Sequence, residues 1–280
     1  MSKMISTPSY TKEILNRYDL RAKKGFGQNF LVDPVIVDKC AAMSHCEGAV
    51  IEIGPGIGSL TEGLAKYSKK VVSYEVDESL IPVLQDTLKD YPNVEIILQD
   101  FLKCDLRAKV DALEKAYGTV AVCANLPYYI TTPVLFRLFE ETPDISYITV
   151  MVQKEVADRF LASVNSAEYS SLSVEAQYLY NIKKLFNVPA RSFNPSPRVD
   201  SVIIQFERKD VQESNEEIQK FFTFAKAAFK QRRKTIYNNL KEYYGSSEKT
   251  MEVLEKAGID PSRRAQEFTV EELRALFGEK

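Results

Sequence analysis

The sequence is poor in the residues on which metal centres and nucleophilic triads depend. It has a single histidine, His45, and its four cysteines, Cys40, Cys46, Cys104 and Cys123, form no CxxC pair. Zinc sites draw on clusters of Cys and His, and a Ser-His-Asp triad needs a histidine base. We therefore expect no metal and no triad, and we interpret the cysteines as reduced core residues of a cytoplasmic protein.

Long apolar runs and an excess of positive charge are also missing. The charge-free runs are too short or too polar for the roughly 20-residue span of a membrane helix, and residues 1–24 do not resemble a secretory signal. Lys and Arg number 37 against 39 Asp and Glu, which gives a net charge of −2. Any contact with nucleic acid must therefore depend on local clusters of basic residues.

The pattern between residues 50 and 153 alternates short β-branched runs with amphipathic segments. Such repeated strand–helix–strand units predict an α/β fold, a Rossmann-like and mainly parallel sheet with helices on both faces. Later strands are predicted at 183–188 and 201–207. The earlier predicted strands are Val50–Ile53, Lys70–Glu75, Val94–Leu98, Val120–Cys123 and Tyr147–Val152, and the predicted helices include Ser59–Tyr67, Glu78–Lys89 and Thr132–Phe139.

The pattern changes after Arg208. Residues 210–215 are polar and read as a linker, and helical periodicity dominates from Glu216 to Phe277. We therefore predict two domains, a catalytic α/β domain over residues 1–208 with a basic N-terminal arm, and a small helical domain over residues 209–280.

A glycine-rich turn, Glu52-Ile-Gly-Pro-Gly-Ile-Gly58, lies between a predicted strand and a predicted helix. Glycines there allow a tight turn and a close approach of the backbone to a ligand. The spacing G-x-G-x-G differs from the G-x-G-x-x-G of dinucleotide sites and favours S-adenosylmethionine over a nicotinamide cofactor.

Acidic residues end the next two predicted strands. Glu75 can accept hydrogen bonds from ribose hydroxyls, and Asp100 can accept one from the exocyclic amine of adenine. Ligands of open α/β sheets bind outside the carboxyl ends of the strands, so Gly54, Glu75 and Asp100 together predict a nucleoside site at one edge.

The fourth predicted strand runs into Asn125-Leu126-Pro127-Tyr128. The adenine N6 nitrogen is a poor nucleophile because its lone pair is delocalised into the ring. The Asn125 oxygen and a backbone carbonyl of the turn can accept its two N–H bonds and so localise that lone pair. Pro127 rigidifies the turn, and Tyr128 offers a face on which an extruded base can stack. This turn predicts methyl transfer to adenine.

Seven motifs in order make the chain similar to the ribosomal RNA adenine N6-dimethyltransferases, in particular the bacterial small-subunit type, over about residues 20–240. They are Gln28-Asn-Phe-Leu31, Glu52–Gly58, Glu75, Gln99-Asp-Phe101, Asn125-Leu-Pro-Tyr128, Val152-Gln-Lys-Glu-Val156 and Phe193-Asn-Pro-Ser-Pro-Arg-Val-Asp-Ser201.

The resemblance implies S-adenosyl-L-methionine as cofactor and two adjacent adenosines in a 3′-terminal hairpin of 16S rRNA as substrate, each dimethylated within the small ribosomal subunit or its precursor. Asn125 and Tyr128 would also hold the target adenine, and Phe193 would be a second stacking wall. A monomer is the default expectation. The residues expected to contact the cofactor are Asn29, Leu31, Gly54, Gly56, Glu75, Asp100 and Asn125.

Two basic clusters are candidates for contact with RNA. One is the N-terminal arm with Arg21, Lys23 and Lys24, and the other is the run Arg232-Arg233-Lys234. Each phosphate contact made by such residues releases condensed counterions. The aromatic residues interleaved with the second cluster, Phe221 to Tyr237, are expected to form the core of the helical domain rather than to stack on bases.

Four other functions compete with this interpretation. The protein could act mainly as a ribosome-assembly factor whose binding matters more than its catalysis, or as a 23S rRNA methyltransferase of the resistance type. A nicotinamide-dependent oxidoreductase would share only the glycine turn. A DNA adenine methyltransferase would share the Asn-x-Pro-Tyr turn, but the remaining motifs favour rRNA.

Overall fold

The computed structural model describes residues 4–23, 25, 27–142 and 145–279. These residues form two compact units. The first contains residues 1–157 and 183–208, and the second contains residues 158–182 and 209–280. The boundary expected after Arg208 coincides with one of these divisions. Residues 158–182, which the sequence analysis placed in the α/β domain, pack instead with the C-terminal helices.

Nine strands occur in the described chain. Their bounds are β1 Phe30–Leu31, β2 Ala49–Ile53, β3 Lys70–Glu75, β4 Val94–Leu98, β5 Val120–Asn125, β6 Tyr147–Gln153, β7 Tyr180–Val188, β8 Phe193–Asn194 and β9 Ser201–Arg208. Seven of them form one sheet in the order β4-β3-β2-β5-β6-β9-β7, while β1 pairs with β8.

Twelve α-helices accompany these strands. Their bounds are α1 Pro8–Arg17, α2 Pro34–Ala42, α3 Ser59–Tyr67, α4 Ile81–Thr87, α5 Leu106–Tyr117, α6 Thr131–Glu141, α7 Lys154–Phe160, α8 Ser171–Leu179, α9 Asn215–Ala228, α10 Ile236–Tyr244, α11 Ser247–Lys256 and α12 Val270–Gly278. The helix predicted over 78–89 is divided, since Glu78–Leu80 is a 3-10 turn that leads into α4.

The large sheet is parallel through β4, β3, β2, β5 and β6. Strand β9 then runs antiparallel to β6, with Ser201 opposite Gln153 and Glu207 opposite Tyr147. The predicted Rossmann-like sheet is therefore confirmed. Four neighbouring parallel strands end at the same edge, which brings the ends of β2, β3, β4 and β5 together.

Helices of the second unit begin at well-defined caps. The side chain of Ser214 accepts a hydrogen bond from the Glu217 backbone, and the Glu217 carboxylate accepts one in return from the Ser214 backbone. Thr269 and Glu272 form the same reciprocal pair at the start of α12. Such capping boxes satisfy N–H groups that a helix leaves unpaired, so these four residues fix where α9 and α12 begin.

The core of the second unit is rich in aromatic side chains, as predicted. Phe221 and Phe224 on α9 are fully buried, and both pack against Phe277 of α12 with ring centroids 5.7 and 5.6 Å apart. In the first unit all four cysteines are buried and free.

Within the described ranges no helix is long and apolar enough to cross a membrane. The same part of the chain holds no group of three or more His, Cys, Asp or Glu side chains arranged to bind a metal ion.

Candidate active site

A cavity of about 320 Å³ opens at the carboxyl edge of the first unit's sheet. Its walls come from the segment before β1, from the turn after β2, and from the ends of β3, β4 and β5. Of the predicted cofactor and turn residues, it is lined by Asn29, Leu31, Gly54, Gly56, Glu75, Asp100, Asn125, Leu126, Pro127 and Tyr128. The structure thus brings together every predicted cofactor residue and the whole Asn-Leu-Pro-Tyr turn.

The glycine turn forms the floor of this cavity in a conformation that side chains resist. Gly54 has φ of 72° and Gly56 has φ of 61°, both in the left-handed region. A Cβ on Gly56 would lie 3.2 Å from Cδ1 of Phe30, and a Cβ on Gly54 would lie 3.6 Å from Cδ of Pro127. The missing side chains leave a cradle that a ligand of nucleoside size can enter.

Glu75 ends β3 with its carboxylate facing the glycine turn and 5% of the residue exposed. Oε1 accepts hydrogen bonds from the backbone N–H groups of Val76 and Asp77, both at 2.8 Å, and Oε2 accepts one from Gly56 at 3.3 Å. Burial raises the pKa of Glu75, while the three N–H donors oppose that shift. A carboxylate has about four acceptor positions, so one stays available for a ribose hydroxyl.

Glu52 lies in β2 immediately before the turn and is 1% exposed. Its Oε2 accepts hydrogen bonds from Ser73 Oγ at 2.6 Å and Thr61 Oγ1 at 2.7 Å. The pKa of Glu52 is raised to about 7, mainly by burial and to a smaller extent by the charge of Glu75, against the lowering effect of the two hydroxyls. The glycine turn therefore follows a buried acid that titrates near neutral pH.

Asp100 follows β4 and is the more open of the two predicted acidic residues. Its Oδ1 caps a short 3-10 turn by accepting from the Leu102 N–H at 3.0 Å, and Oδ2 lies 3.6 Å from the Lys103 ammonium. The side chain is 37% exposed. It combines an anchored carboxylate with access to the cavity, as recognition of an adenine amine requires.

The segment before β1 forms the opposite wall. Asn29 donates from Nδ2 to the Gly27 carbonyl at 3.0 Å, and its own carbonyl lies 3.5 Å from Nδ2 of Asn125. This contact requires the Asn125 amide nitrogen to face Asn29. The Asn125 side-chain oxygen is then directed elsewhere, as acceptance of an adenine N–H requires.

The turn after β5 is stiff. The Pro127 carbonyl accepts from the Ile130 N–H at 3.1 Å and from Thr131 Oγ1 at 3.3 Å. Tyr128 is half-buried, and its hydroxyl lies 2.9 Å from the hydroxyl of Ser201. Tyr129 also lines the cavity, yet it is 56% exposed. Two adjacent tyrosines thus differ sharply, one held in place and one at the rim.

Among the residues predicted to hold the target adenine, Phe193 is the one that does not line the cavity. It lies in β8 opposite Leu31 and is 4% exposed, packed in the hydrophobic core that includes Val188 and Ile203. The antiparallel pairing of β8 with β1 keeps the ring in that core. A role as a second stacking wall stays a prediction, and it would require the ring to leave this core.

The basic N-terminal arm is only partly available for RNA. Lys23 donates from Nζ to Asp77 Oδ1 at 2.7 Å and to Ser79 Oγ at 2.8 Å. Gln28 donates to the other Asp77 oxygen at 2.9 Å, so Asp77 ties the arm beside the cavity. Arg21 is exposed, and Lys24 lies outside the described residues.

The three residues of the second predicted RNA cluster differ in whether their charge is already engaged within the protein. Arg232, Arg233 and Lys234 are all exposed as residues. The Arg232 guanidinium, however, donates to the carbonyls of Ser166 at 2.7 Å and Tyr169 at 3.1 Å. Arg232 therefore holds a loop of its own unit, and Arg233 and Lys234 remain the better candidates for phosphate contact.

Sequence reasoning missed Tyr129 and the Asp77 anchor as parts of the site. Tyr129 is adjacent to the predicted turn, and that position was the only signal for it. Asp77 follows Glu75 by two residues, but its pairing with Lys23 and Gln28 depends on the folded path of the arm. No local pattern marks such a contact.

A glycine cradle, two acidic strand ends and an Asn-Leu-Pro-Tyr turn on one edge of this sheet define a Rossmann-like, S-adenosylmethionine-dependent methyltransferase. The sequence model of a protein family described as ribosomal RNA adenine dimethylase matches residues 19–279. The chain belongs to the ribosomal RNA adenine dimethylase family.

Known proteins agree with this assignment. A Staphylococcus epidermidis protein named ribosomal RNA small subunit methyltransferase A is 46% identical, over 99% of this chain and 96% of its own length. A dimethyladenosine transferase from Plasmodium falciparum has a similar structure, with TM-score 0.75, 26% identity, and coverage of 88% of this chain and 95% of that one. The 23S rRNA methyltransferase ErmE gives TM-score 0.67 and 26% identity, with coverage of 90% and 99%.

Proposed function

We propose that this chain transfers methyl groups from S-adenosyl-L-methionine to N6 of two adjacent adenosines in a 3′-terminal hairpin of 16S rRNA, with two transfers to each. The observation that carries the proposal is the meeting, in one cavity, of the Asn125–Tyr128 turn with Gly54, Glu75 and Asp100. One group of residues suits a nucleoside cofactor, and the other suits an adenine amine.

The cofactor would supply an electrophilic methyl group on a positively charged sulfur. Glu75 would accept from a ribose hydroxyl, Asp100 from the adenine amine, and Asn29, Leu31, Gly54 and Gly56 would form the walls. The fit is supported by the cradle that a Cβ on Gly56 would fill and by the acceptor position left on Glu75.

The residues of the turn would activate and hold the target. Asn125 would accept an N–H bond of the target amine, and a carbonyl of the turn, with Leu126 the candidate, would accept the second. With both N–H bonds held in the first transfer, the nitrogen lone pair points along the direction of attack. In the second transfer one N–H remains, so one of the two acceptors would hold it while the methyl group occupies the other position. Pro127 and Tyr128 would hold the base in place, and positioning of this kind can supply much of the reduction in the barrier. The amine can lose its proton to water afterwards, so no general base is required.

The small subunit is favoured over 23S rRNA as the substrate. Identity is 46% to a relative named for the small subunit and 26% to the 23S enzyme. The substrate would be 16S rRNA within the small subunit or its precursor, with Arg21, Arg233 and Lys234 as candidate phosphate contacts. We further propose that the protein is a monomer. We also propose that it acts in the cytoplasm, which the four free, buried cysteines support.

Mass spectrometry of rRNA from cells with and without this protein tests the proposal. Loss of dimethyladenosine from 16S rRNA is expected when the protein is absent, and its return when the gene is restored. An unchanged 16S rRNA together with a changed 23S rRNA would identify the resistance-type reaction instead. If a variant without methylation activity restores normal subunit assembly, binding rather than catalysis is the main role.

A further inference from the structure

The hydroxyl of Tyr128 lies 2.9 Å from the hydroxyl of Ser201, although the two residues are 73 positions apart. Tyr128 lines the cavity at the predicted target site, whereas Ser201 is fully buried and does not line the cavity. Burial has the largest effect on the Tyr128 phenol and raises its pKa, and the Ser201 bond opposes that shift. The hydrogen bond therefore joins two uncharged hydroxyl groups that are partly shielded from water.

Ser201 is a rigid anchor. It is the first residue of β9, opposite Gln153 in the antiparallel pairing with β6. The preceding residue is also fixed, because Asp200 accepts from the Ala190 N–H at 2.8 Å through its side chain and from the Lys154 N–H at 3.3 Å through its carbonyl. The backbone of Ser201 therefore has a position set by the sheet, and this position keeps its hydroxyl within reach of Tyr128.

We propose that Ser201 is a positioning residue for methyl transfer, one that orients the ring of Tyr128 for the target base. A tyrosine ring turns about two side-chain torsions. Here the turn after β5 fixes the backbone of Tyr128, and the bond to Ser201 fixes the direction of the ring through the first torsion. The hydroxyl lies on the axis of the second torsion, so the bond acts on the ring plane through the preference of a phenol for hydrogen bonds in the plane of its ring. Stacking depends on both torsions, so a ring restrained in this way is ready for the base before the base arrives.

This inference depends on the proposed function, and it makes a distinct kinetic prediction. Ser201→Ala should lower the single-turnover rate of methylation of unmethylated small subunits by roughly threefold to tenfold, the size expected for one neutral hydrogen bond. The dissociation constant for S-adenosylmethionine should not change. Tyr128→Phe keeps the ring and removes the same bond, so it should give a similar loss.

The double variant separates positioning from a general structural effect. If Ser201 acts through the Tyr128 hydroxyl, Ser201→Ala combined with Tyr128→Phe should be no slower than the worse single variant. Losses that multiply would overturn the proposal. Ser44→Ala is the matched control, since Ser44 is also fully buried and donates to the Cys40 carbonyl at 2.6 Å, away from the cavity.

An NMR measurement on the protein without substrate tests the positioning role of Ser201 independently of the methylation reaction. With 13C-labelled tyrosine, the ring signal that disappears in Tyr128→Phe is assigned to Tyr128. Ser201→Ala should shift or broaden this signal, and Ser44→Ala should leave it unchanged. An unchanged Tyr128 signal in Ser201→Ala refutes the positioning role, whereas loss of methylation by the wild-type protein on its own would refute only the proposed function.

Discussion

Nη2 of Arg232 lies 2.7 Å from the carbonyl oxygen of Ser166, and this contact changes what the basic run at 232–234 can be expected to do. A second bond from the same guanidinium reaches the Tyr169 carbonyl at 3.1 Å. Arg232 closes a loop within the second unit, so the three cationic residues are not equivalent.

Charge reversal should therefore separate stability from RNA binding. Arg233→Glu with Lys234→Glu should weaken binding to the small ribosomal particle and reduce the steepness of its salt dependence, because fewer counterions are released. Arg232→Ala should instead cost about 1–2 kcal/mol of stability, because it removes two hydrogen bonds of an exposed side chain. Salt titrations of particle binding and thermal melts check the two effects. A double variant with the wild-type slope and affinity would show that this run is only a solvated face.

Glu75 should govern affinity for the cofactor. Glu75→Ala removes a charged acceptor, and hydrogen bonds to charged groups contribute about 1.5–3 kcal/mol, so affinity for S-adenosylmethionine should fall roughly tenfold to a hundredfold. Calorimetry on folded protein measures the effect. Glu95→Ala is a suitable control, since Glu95 pairs with Lys70 at 3.0 Å and Lys109 at 3.4 Å and does not line the cavity. Equal affinity in Glu75→Ala and wild type would remove Glu75 from the site.

Asn125 should govern turnover rather than folding. Asn125→Ala removes the acceptor proposed for the target amine, and methylation should become undetectable while the melting temperature and particle binding stay near wild type. Single-turnover methylation of unmethylated small subunits is the measurement. A rate near that of the wild type would contradict the mechanism assigned to the turn.

Much of this site could be predicted because its signals are local. The ends of β3 and β4 were predicted at the observed residues, Glu75 and Leu98, and their position at one edge follows from parallel pairing. A glycine turn between a strand and a helix is also visible in the sequence, and Gly54 and Gly56 have the positive φ angles that such a turn needs.

The features that could not be predicted depend on contacts between distant segments. The β1–β8 pair has two residues in each strand, which is too short for a hydrophobic period, yet it decides that Phe193 faces the core. The bonds from Arg232 to Ser166 and Tyr169 connect residues more than 60 positions apart. A run of basic residues looks the same in the sequence whether its charges face phosphate or backbone carbonyls.

Glu52 should make stability depend on pH near neutrality. Its pKa is about 7 in the folded protein, raised by burial from 4.5. The folded state therefore binds more protons than the unfolded state between these two values, so Glu52 lowers stability as pH rises from about 4.5 to 7 and has no further effect above that range. Across this range the titration of Glu52 should lower the free energy of unfolding by about 3 kcal/mol in total.

Glu52→Gln should remove this contribution. Urea unfolding at pH 5 and pH 8 measures it as the change in the difference between wild type and variant, which cancels the other titrating groups. The variant should gain stability relative to wild type at pH 8 compared with pH 5. A difference that is the same at both pH values would show that Glu52 does not titrate in this range.

Arg137 should control the cofactor site without touching the cofactor. It lies on α6 with a side chain that is 12% exposed, and its guanidinium donates to the carbonyls of Phe101 and Cys104. Glu141 holds the guanidinium from the other side, with Oε1 at 2.7 Å from Nε. These contacts fix the loop that begins at Asp100, so Arg137→Ala should weaken S-adenosylmethionine binding severalfold by loosening that loop.

A lysine cannot replace this guanidinium, because a single ammonium does not reproduce its planar fork of donors. Arg137→Lys should therefore restore little of the affinity. Arg107→Ala is the matched control, since Arg107 on α5 pairs with the exposed Asp111 one helical turn away. Calorimetric titration of the three variants with S-adenosylmethionine, together with thermal melts, measures the effect. If Arg137→Ala binds the cofactor as tightly as Arg107→Ala does, the loop after β4 is held by its own 3-10 turn and Arg137 supports only the fold.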